Sequence, residues 1–246
     1  EDEIAKYPQY YLPHHSVLKP DSSTTKLRVV FDGSFKDSFG QSLNDTLLIG
    51  PAIQRDLFGV SMRFRRFSFV FTADITKMFR QIWISKKDRD YQRIVWRSDP
   101  NNPILHYRLC TVTYGTSCAP FLSVRVLQQL ATDNQDKFPI AASIILNNIY
   151  VDDVMSGSED LRDLYHAKKE LVSLLAIGGF KLRKWSSNSL EFIEQIPNED
   201  CEHAKVENGS SESYIKLLGL YWNPTSDAYS FRVHKRSNDD AITKRK

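Results

Sequence analysis

The chain of 246 residues contains 33 Lys and Arg against 30 Asp and Glu, and 41% of its residues are hydrophobic and 12% aromatic. This composition excludes a disordered chain and allows one large domain or two subdomains with an apolar core. A formal net charge of +3 does not by itself indicate a nucleic-acid partner. No run of about 18 apolar residues predicts a membrane span, the first residues do not form a signal peptide, and the cysteines lack metal-ligand spacing, as is typical of a reducing compartment.

The first predicted element is a basic hairpin. A polar loop at residues 21–25 precedes residues 26–32, whose alternating apolar and polar side chains predict a strand. Lys19, Lys26 and Arg28 flank this loop, where their cations can meet phosphate groups. An ordinary basic surface hairpin explains the same pattern, and the sequence leaves both alternatives open.

A helix and a strand are predicted next. Pro51 occupies a helix-start position, so a helix is expected over residues 51–66. Residues 67–74 alternate, with the phenylalanines on one buried face. The Asp74 side chain is therefore expected to project from the opposite face at the end of this strand. This is a common position for a functional carboxylate.

Short strands and charged turns are predicted over residues 86–114. Pro120 then lies near the start of a helix expected at about 119–133. Because this helix is apolar on most sides, it is expected to be buried or to lie under a ligand.

The segment Tyr150-Val151-Asp152-Asp153 is an acidic turn between two apolar segments. Residues 143–149 and 154–158 predict the strands of a hairpin, with the two carboxylates at its tip. Adjacent carboxylates repel each other unless a proton or a cation lies between them, and Mg²⁺ prefers such oxygen ligands. Aspartate is also common in ordinary turns, so these residues alone leave a purely structural turn open.

The rest of the chain is predicted from capping and alternation signals. In order, we expect a helix at 159–177 capped by Ser158, a basic strand at 180–185, a loop at 194–213, a strand at 214–222, a hairpin turn at 223–227 and a basic tail from about 235.

Together these elements predict an α+β fold in which antiparallel strands carry helices on one face. In that arrangement the end of the Asp74 strand can lie beside the tip of the acidic hairpin. Three carboxylates would then converge, enough to hold two Mg²⁺ ions roughly 3.5–4 Å apart for in-line phosphoryl transfer.

The order of the motifs resembles that of a reverse transcriptase, most closely the reverse transcriptase of Bel/Pao-type LTR retrotransposons. The matching blocks occupy residues 11–15, 24–34, 42–45, 50–51, 72–82, 112–121, 150–153, 179–185 and 218–220. The catalytic tetrapeptide of that family corresponds to Tyr150-Val151-Asp152-Asp153. A single Tyr-x-Asp-Asp motif is weak support, whereas this many blocks in one order are specific.

The resemblance implies the fingers and palm of a right-hand polymerase, with an antiparallel palm sheet that carries helices on one face and a thumb that is mostly missing. The implied division is fingers at 1–43 and 83–118, palm at 44–82 and 119–231 with a primer-grip hairpin, and the start of a thumb or a flexible basic tail at 232–246. The resemblance further implies a larger polyprotein with protease, ribonuclease H and integrase, located in cytoplasmic retroelement particles with access to the nucleus.

The resemblance implies that Asp74, Asp152 and Asp153 bind two Mg²⁺ ions, for which Mn²⁺ can substitute. These ions would serve the transfer of deoxynucleotides from deoxynucleoside triphosphates to the 3′-OH of a primer on an RNA or DNA template, with release of pyrophosphate. The backbone after Asp74, at Ile75, would receive the triphosphate. Phe79 would lie under the sugar and exclude a ribose 2′-OH by its bulk, although a phenylalanine at this place also suits a core position.

Further nucleotide contacts are implied from cations and a tyrosine. Arg28 and Lys19 would neutralise the triphosphate from the fingers, with Lys26 as an alternative to Lys19. Tyr114 would face the nucleotide. Lys184 would donate a proton to the leaving pyrophosphate, or contact phosphate or template.

The last implied contact is a primer grip at Leu218 and Gly219, for which an ordinary core strand is the alternative. Ser34 stands where many retroviral enzymes have a second fingers arginine, so the resemblance does not extend to that contact. No membrane partner is expected, and the oligomeric state stays undetermined.

Two other functions stay open. An α+β nucleic-acid-binding module would stack bases on sheet aromatics, but three clustered carboxylates would repel its phosphates. A non-catalytic or truncated retroelement-derived domain would keep the fold without polymerising.

Overall fold

The computed structural model describes residues 9–20, 26–202, 205–206 and 213–231. The helices are α1 (Leu43–Thr46), α2 (Leu57–Arg65), α3 (Ala119–Asp133), α4 (Pro139–Asn147), α5 (Leu161–Ile177) and α6 (Leu190–Glu194). The strands are β1 (His14–Leu18), β2 (Leu27–Phe31), β3 (Phe69–Ile75), β4 (Arg93–Trp96), β5 (Leu105–Arg108), β6 (Ile149–Tyr150), β7 (Asp153–Ser158), β8 (Leu182–Ser187), β9 (Lys205–Val206), β10 (Ser213–Leu217), β11 (Leu220–Asn223) and β12 (Ala228–Ser230). Short 3₁₀ helices occupy Met78–Gln81, Lys86–Gln92 and Asn198–Asp200.

Several predicted segments lie outside the described residues. They are the polar loop at 21–25, part of the loop at 194–213, and the segment 232–246 that was expected to be a basic tail or the start of a thumb.

Four strands form a central antiparallel sheet in the order β6-β7-β3-β8. The pairing of β3 with β7 runs from Phe69 opposite Ser158 to Asp74 opposite Asp153. Along β3, Phe71 and Val70 point into two different cores, and both are fully buried. This strand is therefore central to the fold and is covered on both faces.

Three helices cover one face of this sheet. Leu127 of α3, Ile144 of α4 and Leu171 of α5 are buried in the main core together with Phe71 and Ala73 of β3. Side chains of this size contribute about 1.5–3 kcal/mol each when they are fully buried, so this core is the principal source of stability.

The opposite face is covered by α2 and the β10–β11 hairpin. Val60 and Phe64 of α2 and Trp222 of β11 pack against Val70 of β3 and Met155 of β7. The sheet thus carries helices on one face as predicted, and it also carries α2 and a hairpin on the opposite face, which the prediction did not include. The second face of β3 is also apolar, and such a face must be buried against another element.

The apolar segment 143–149 was predicted as a strand, and this prediction is wrong. It belongs largely to helix α4, which has Pro139 in its first turn and buries Ala141, Ala142, Ile144 and Ile145. A helix that is apolar all round shows neither strand nor helix periodicity, so its sequence resembles that of a buried strand. Only Ile149–Tyr150 form the first strand of the acidic hairpin.

Three further boundaries differ from the prediction. Helix α2 begins at Leu57 and not at Pro51, because the Asp56 carboxylate caps it by accepting from the Gly59 amide at 2.7 Å. Helix α5 is capped by Asp160 and not by Ser158, which still belongs to β7. The strand predicted at 214–222 is interrupted by a turn between β10 and β11.

The other main elements are confirmed. They are the hairpin of β1 and β2, the strand that ends near Asp74, the helix at 119–133, the acidic hairpin and the turn between β11 and β12.

Two small sheets, β1-β2 and β4-β5, lie beside the central one. A small core of Leu12, Phe31 and Leu43 supports them. The Asn44 side chain ties this part to the segment before α3, because it donates to the Gly115 carbonyl at 3.1 Å and accepts from the Ser117 amide at 2.8 Å. Among the described residues, no helix has the length and apolar character that a membrane crossing requires.

Candidate active site

Asp74 and the Asp152-Asp153 pair lie at one end of the central sheet. Asp74 and Asp153 are direct partners in the register of β3 and β7. The Ile75 amide donates to the Asp152 carbonyl oxygen at 2.8 Å, which fastens the turn to the end of β3. The structure thus brings together the three aspartates that the sequence singled out.

The turn between β6 and β7 consists of Val151 and Asp152, and Val151 has a left-handed backbone with a φ of 56°. A β-branched residue rarely adopts this conformation, which costs on the order of 1–3 kcal/mol. The Gln54 side chain forms two hydrogen bonds with the backbone at this turn. Its Nε2 donates to the Ile149 carbonyl at 2.8 Å, and its Oε1 accepts from the Val151 amide at 3.0 Å.

Gln54 was missed by the sequence analysis. It fell inside the helix predicted over residues 51–66, where a glutamine is an ordinary exposed residue. No local pattern marks its contact with a backbone that is 97 positions away in the chain.

The three carboxylates interact electrostatically. Burial, followed by the negative charges of Asp152 and Asp74, raises the pKa of the Asp153 carboxyl to about 7. Burial and then the charge of Asp74 also raise the pKa of Asp152. The ionised cluster is therefore disfavoured where it lies, and a bound cation would relieve the repulsion.

Lys184 places a positive charge on this cluster. Its Nζ donates to Asp74 Oδ2 at 2.7 Å. Burial acts to lower the pKa of Lys184, but the hydrogen bond to Asp74 and its charge outweigh this effect and raise the pKa. Lys184 also has a left-handed backbone, with a φ of 53°, beside the place where the register of β3 and β8 shifts. Its predicted role at the pyrophosphate stays a prediction.

The next question is whether this arrangement of carboxylates suits a divalent metal ion. In the described part of the chain, no group of three or more His, Cys, Asp and Glu side chains is arranged as it stands to hold a metal ion. The donor set nevertheless suits a hard divalent cation, since it consists of carboxylates that repel each other. The Lys184 ammonium occupies Asp74 Oδ2, so this ion pair would compete with a metal ion for that oxygen.

Two predicted nucleotide contacts, Ile75 and Phe79, lie in the segment that follows Asp74. Ile75 is fully buried and its amide is bonded to the Asp152 carbonyl, so binding a triphosphate at that amide would require this bond to open. Phe79 lies in the 3₁₀ helix Met78–Gln81 and packs half-buried against the main core. This position is compatible with both roles predicted for Phe79, a contact under the nucleotide sugar and a core residue.

The remaining nucleotide contacts lie at the β1–β2 hairpin. The Tyr114 hydroxyl donates to a backbone carbonyl of β2, and its ring centroid lies 5.3 Å from that of Phe31. Lys19, Lys26 and Arg28 are exposed on the hairpin, where the Lys19 amide donates to the Lys26 carbonyl at 2.7 Å. The structure therefore groups the three cations on one hairpin and leaves them accessible.

Leu218 and Gly219 form the turn between β10 and β11, with φ angles of 51° and 92°. The glycine adopts this conformation freely, whereas the leucine is strained. Leucine in such a turn agrees with a functional constraint, because strained residues cluster at ligand-binding sites.

Residues 53–188, more than half of the chain, match the family model described as reverse transcriptase (RNA-dependent DNA polymerase). The chain therefore belongs to the reverse transcriptase family. The match covers β3, the acidic hairpin and β8, which carry the aspartates and Lys184. No curated protein matches the chain.

The fold is similar to that of two solved structures of a foamy viral protease-reverse transcriptase. One, in complex with an RNA/DNA hybrid, gives a TM-score of 0.58 and 16% identity over 92% of this chain and 24% of that chain. The other, in complex with double-stranded DNA, gives a TM-score of 0.57 and 18% identity over 87% of this chain and 30% of that chain. The chain thus spans less than a third of either structure. The Bel/Pao subtype stays a prediction.

The substitution Asp153→Asn is expected to stabilise the metal-free protein at pH 8, because it removes a disfavoured charge. The folded-state pKa of about 7 lies above the ordinary value of 3.8, so the wild type loses stability as the pH rises between these values. The variant should therefore exceed the wild type by about 1–3 kcal/mol in free energy of unfolding at pH 8, and by much less near pH 5. Urea denaturation with EDTA at both pH values measures this difference. An advantage of equal size at both would contradict the raised pKa.

Proposed function

We propose that the chain is an RNA-directed DNA polymerase that adds deoxynucleotides to a primer 3′-OH by two-metal-ion phosphoryl transfer, with Mg²⁺ as the natural ion and Mn²⁺ as a substitute. One observation carries this proposal. The register of β3 and β7 sets Asp74 opposite Asp153 and next to Asp152, in a chain of the reverse transcriptase family. Carboxylates from two neighbouring strands are a suitable ligand set for paired divalent ions.

Asp74, Asp152 and Asp153 would hold the ions. When bound, the ions supply Lewis acidity at the primer hydroxyl and at the phosphoryl oxygens. The protein itself contributes position and charge. A lysine side chain is protonated at neutral pH, so once the Lys184 ammonium leaves Asp74 it can donate a hydrogen bond or a proton to the departing pyrophosphate.

The residues around this centre would bind the substrates. The exposed cations Lys19, Lys26 and Arg28 would neutralise the triphosphate. Tyr114, which packs against β2, would line the nucleotide pocket. The strained turn at Leu218 would press the primer end toward the carboxylates.

The domain assignment and the partners belong to the same proposal. The β1-β2 and β4-β5 sheets would form the fingers and the central sheet the palm, with boundaries at residues 43, 82 and 118. The foamy viral structures contain an RNA/DNA hybrid or double-stranded DNA, and a template–primer duplex is the corresponding proposed partner here. A Bel/Pao-type polyprotein in cytoplasmic particles is the proposed context.

A non-catalytic nucleic-acid-binding domain is the second candidate. It is favoured by the ion pair of Lys184 with Asp74, and by the lack of a ready metal-binding group among the described residues. Primer extension distinguishes the two, because only the polymerase incorporates nucleotides.

Primer extension on poly(rA)–oligo(dT) with dTTP and Mg²⁺ or Mn²⁺ tests the polymerase directly. The double variant Asp152→Asn, Asp153→Asn should lose activity by at least about a hundredfold, because it removes two of the oxygen ligands. The matched control Asp136→Asn, at an exposed position after α3, should keep it. Primer extension by the double variant at the level of the wild type would refute the assignment. A wild-type protein that binds the duplex but does not extend the primer would favour the second candidate.

The Phe79→Ala variant tests the proposed sugar contact. Removing the ring should raise incorporation of ribonucleotides relative to deoxynucleotides by about tenfold, because bulk alone would exclude the 2′-OH. The ratio of kcat/KM for UTP and dTTP measures this selectivity. Phe138→Ala provides a control, since Phe138 packs against the same core. An unchanged ratio in Phe79→Ala would identify Phe79 as a core residue.

A further inference from the structure

The connection between α1 and α2 contains no regular structure over residues 51–56, yet it is held firmly. The Ile53 carbonyl accepts from Gln128 Nε2 of α3 at 3.2 Å. Arg55 Nε donates to the Leu146 carbonyl at the end of α4 at 3.3 Å. Gln54, between these two anchors, reaches the acidic turn. The anchors thus fix the backbone from which the Gln54 side chain extends.

The two hydrogen bonds of Gln54 imitate those of a neighbouring strand. Strand β6 is at the edge of the sheet order β6-β7-β3-β8, so one side of its backbone has no partner among the described strands. The Gln54 amide donates to the Ile149 carbonyl and accepts from the Val151 amide, two residues further on. A side-chain amide that does both satisfies one donor and one acceptor, as a paired strand would.

The residue that Gln54 binds is the strained one. Val151 keeps its left-handed φ of 56° only if its surroundings enforce it. Asp152 and Asp153 follow directly, so a rotation of the Val151 backbone would move both carboxylates. We infer that Gln54 is a positioning residue, which holds the acidic turn in the conformation that aligns the catalytic carboxylates. This inference rests on the proposed polymerase function.

The chemistry requires glutamine at this place. Glutamate would accept from the Val151 amide but would repel the Ile149 carbonyl and add a charge near two disfavoured carboxylates. Asparagine is one methylene shorter and cannot reach both groups. Methionine has nearly the same shape but lacks both hydrogen bonds, so Gln54→Met isolates their effect.

The test compares Gln54→Met with Gln128→Met. The control makes the same chemical change and also removes one hydrogen bond to the 51–56 segment, but it does not touch the turn. In Gln54→Met we expect the Val151 amide to exchange with solvent at least about tenfold faster in the metal-free protein, as followed by ¹⁵N NMR. We also expect Mn²⁺ to bind about tenfold more weakly, and kcat to fall about 10- to 100-fold with the KM for dTTP within about twofold.

The control leaves both hydrogen bonds of Gln54 and the second anchor at Arg55 in place. Each of these quantities should therefore change by no more than about twofold in the control, even where its melting temperature falls as much as that of Gln54→Met. If Gln54→Met matches Gln128→Met in Val151 exchange and Mn²⁺ affinity, the inference is overturned. The proposed function fails separately, through a wild type that extends no primer. In that case amide exchange and Mn²⁺ binding still decide whether Gln54 holds the turn.

Discussion

The structure depends on a juxtaposition that electrostatics opposes, namely Asp74 beside Asp153 across β3 and β7. Packing enforces it. Both faces of β3 are buried, and a slip of one residue would turn every side chain of the strand to the wrong core. The two hydrophobic cores therefore offset the free-energy cost of the repulsion. Burial, followed by the charges of Asp152 and Asp74, raises the pKa of Asp153 at this place.

Backbone strain is concentrated around the same carboxylates. Among the described residues, five that are not glycine have a positive φ, and three of them, Lys77, Val151 and Lys184, lie within or next to the site. Two of the three have a side-chain contact at this place: the Val151 amide donates to Gln54, and the Lys184 ammonium donates to Asp74. Strain of this kind agrees with a site that is built for binding and not for stability.

The sequence predicts those parts of the site that local chemistry defines. The alternation of residues 67–74 correctly places Asp74 at a strand end, and the acidic turn correctly forms a hairpin. Helix α4 escaped prediction because its residues are apolar even on the side where Ile140 is exposed, so the sequence shows no helical periodicity. The contact of Lys184 with Asp74 and that of Gln54 with Val151 escaped because they join residues 110 and 97 positions apart. Such contacts depend on how the elements pack, which no local pattern contains.

The central claim is that three aspartates from β3 and the acidic turn share one pair of divalent cations. Crystals grown with Mn²⁺ and a template–primer test it most directly, through the anomalous scattering of the metal. The account predicts two peaks roughly 3.5–4 Å apart, both within coordination distance of Asp74, Asp152 or Asp153, with the Lys184 ammonium withdrawn from Asp74. Peaks at other places, or none while Lys184 stays on Asp74, would contradict it.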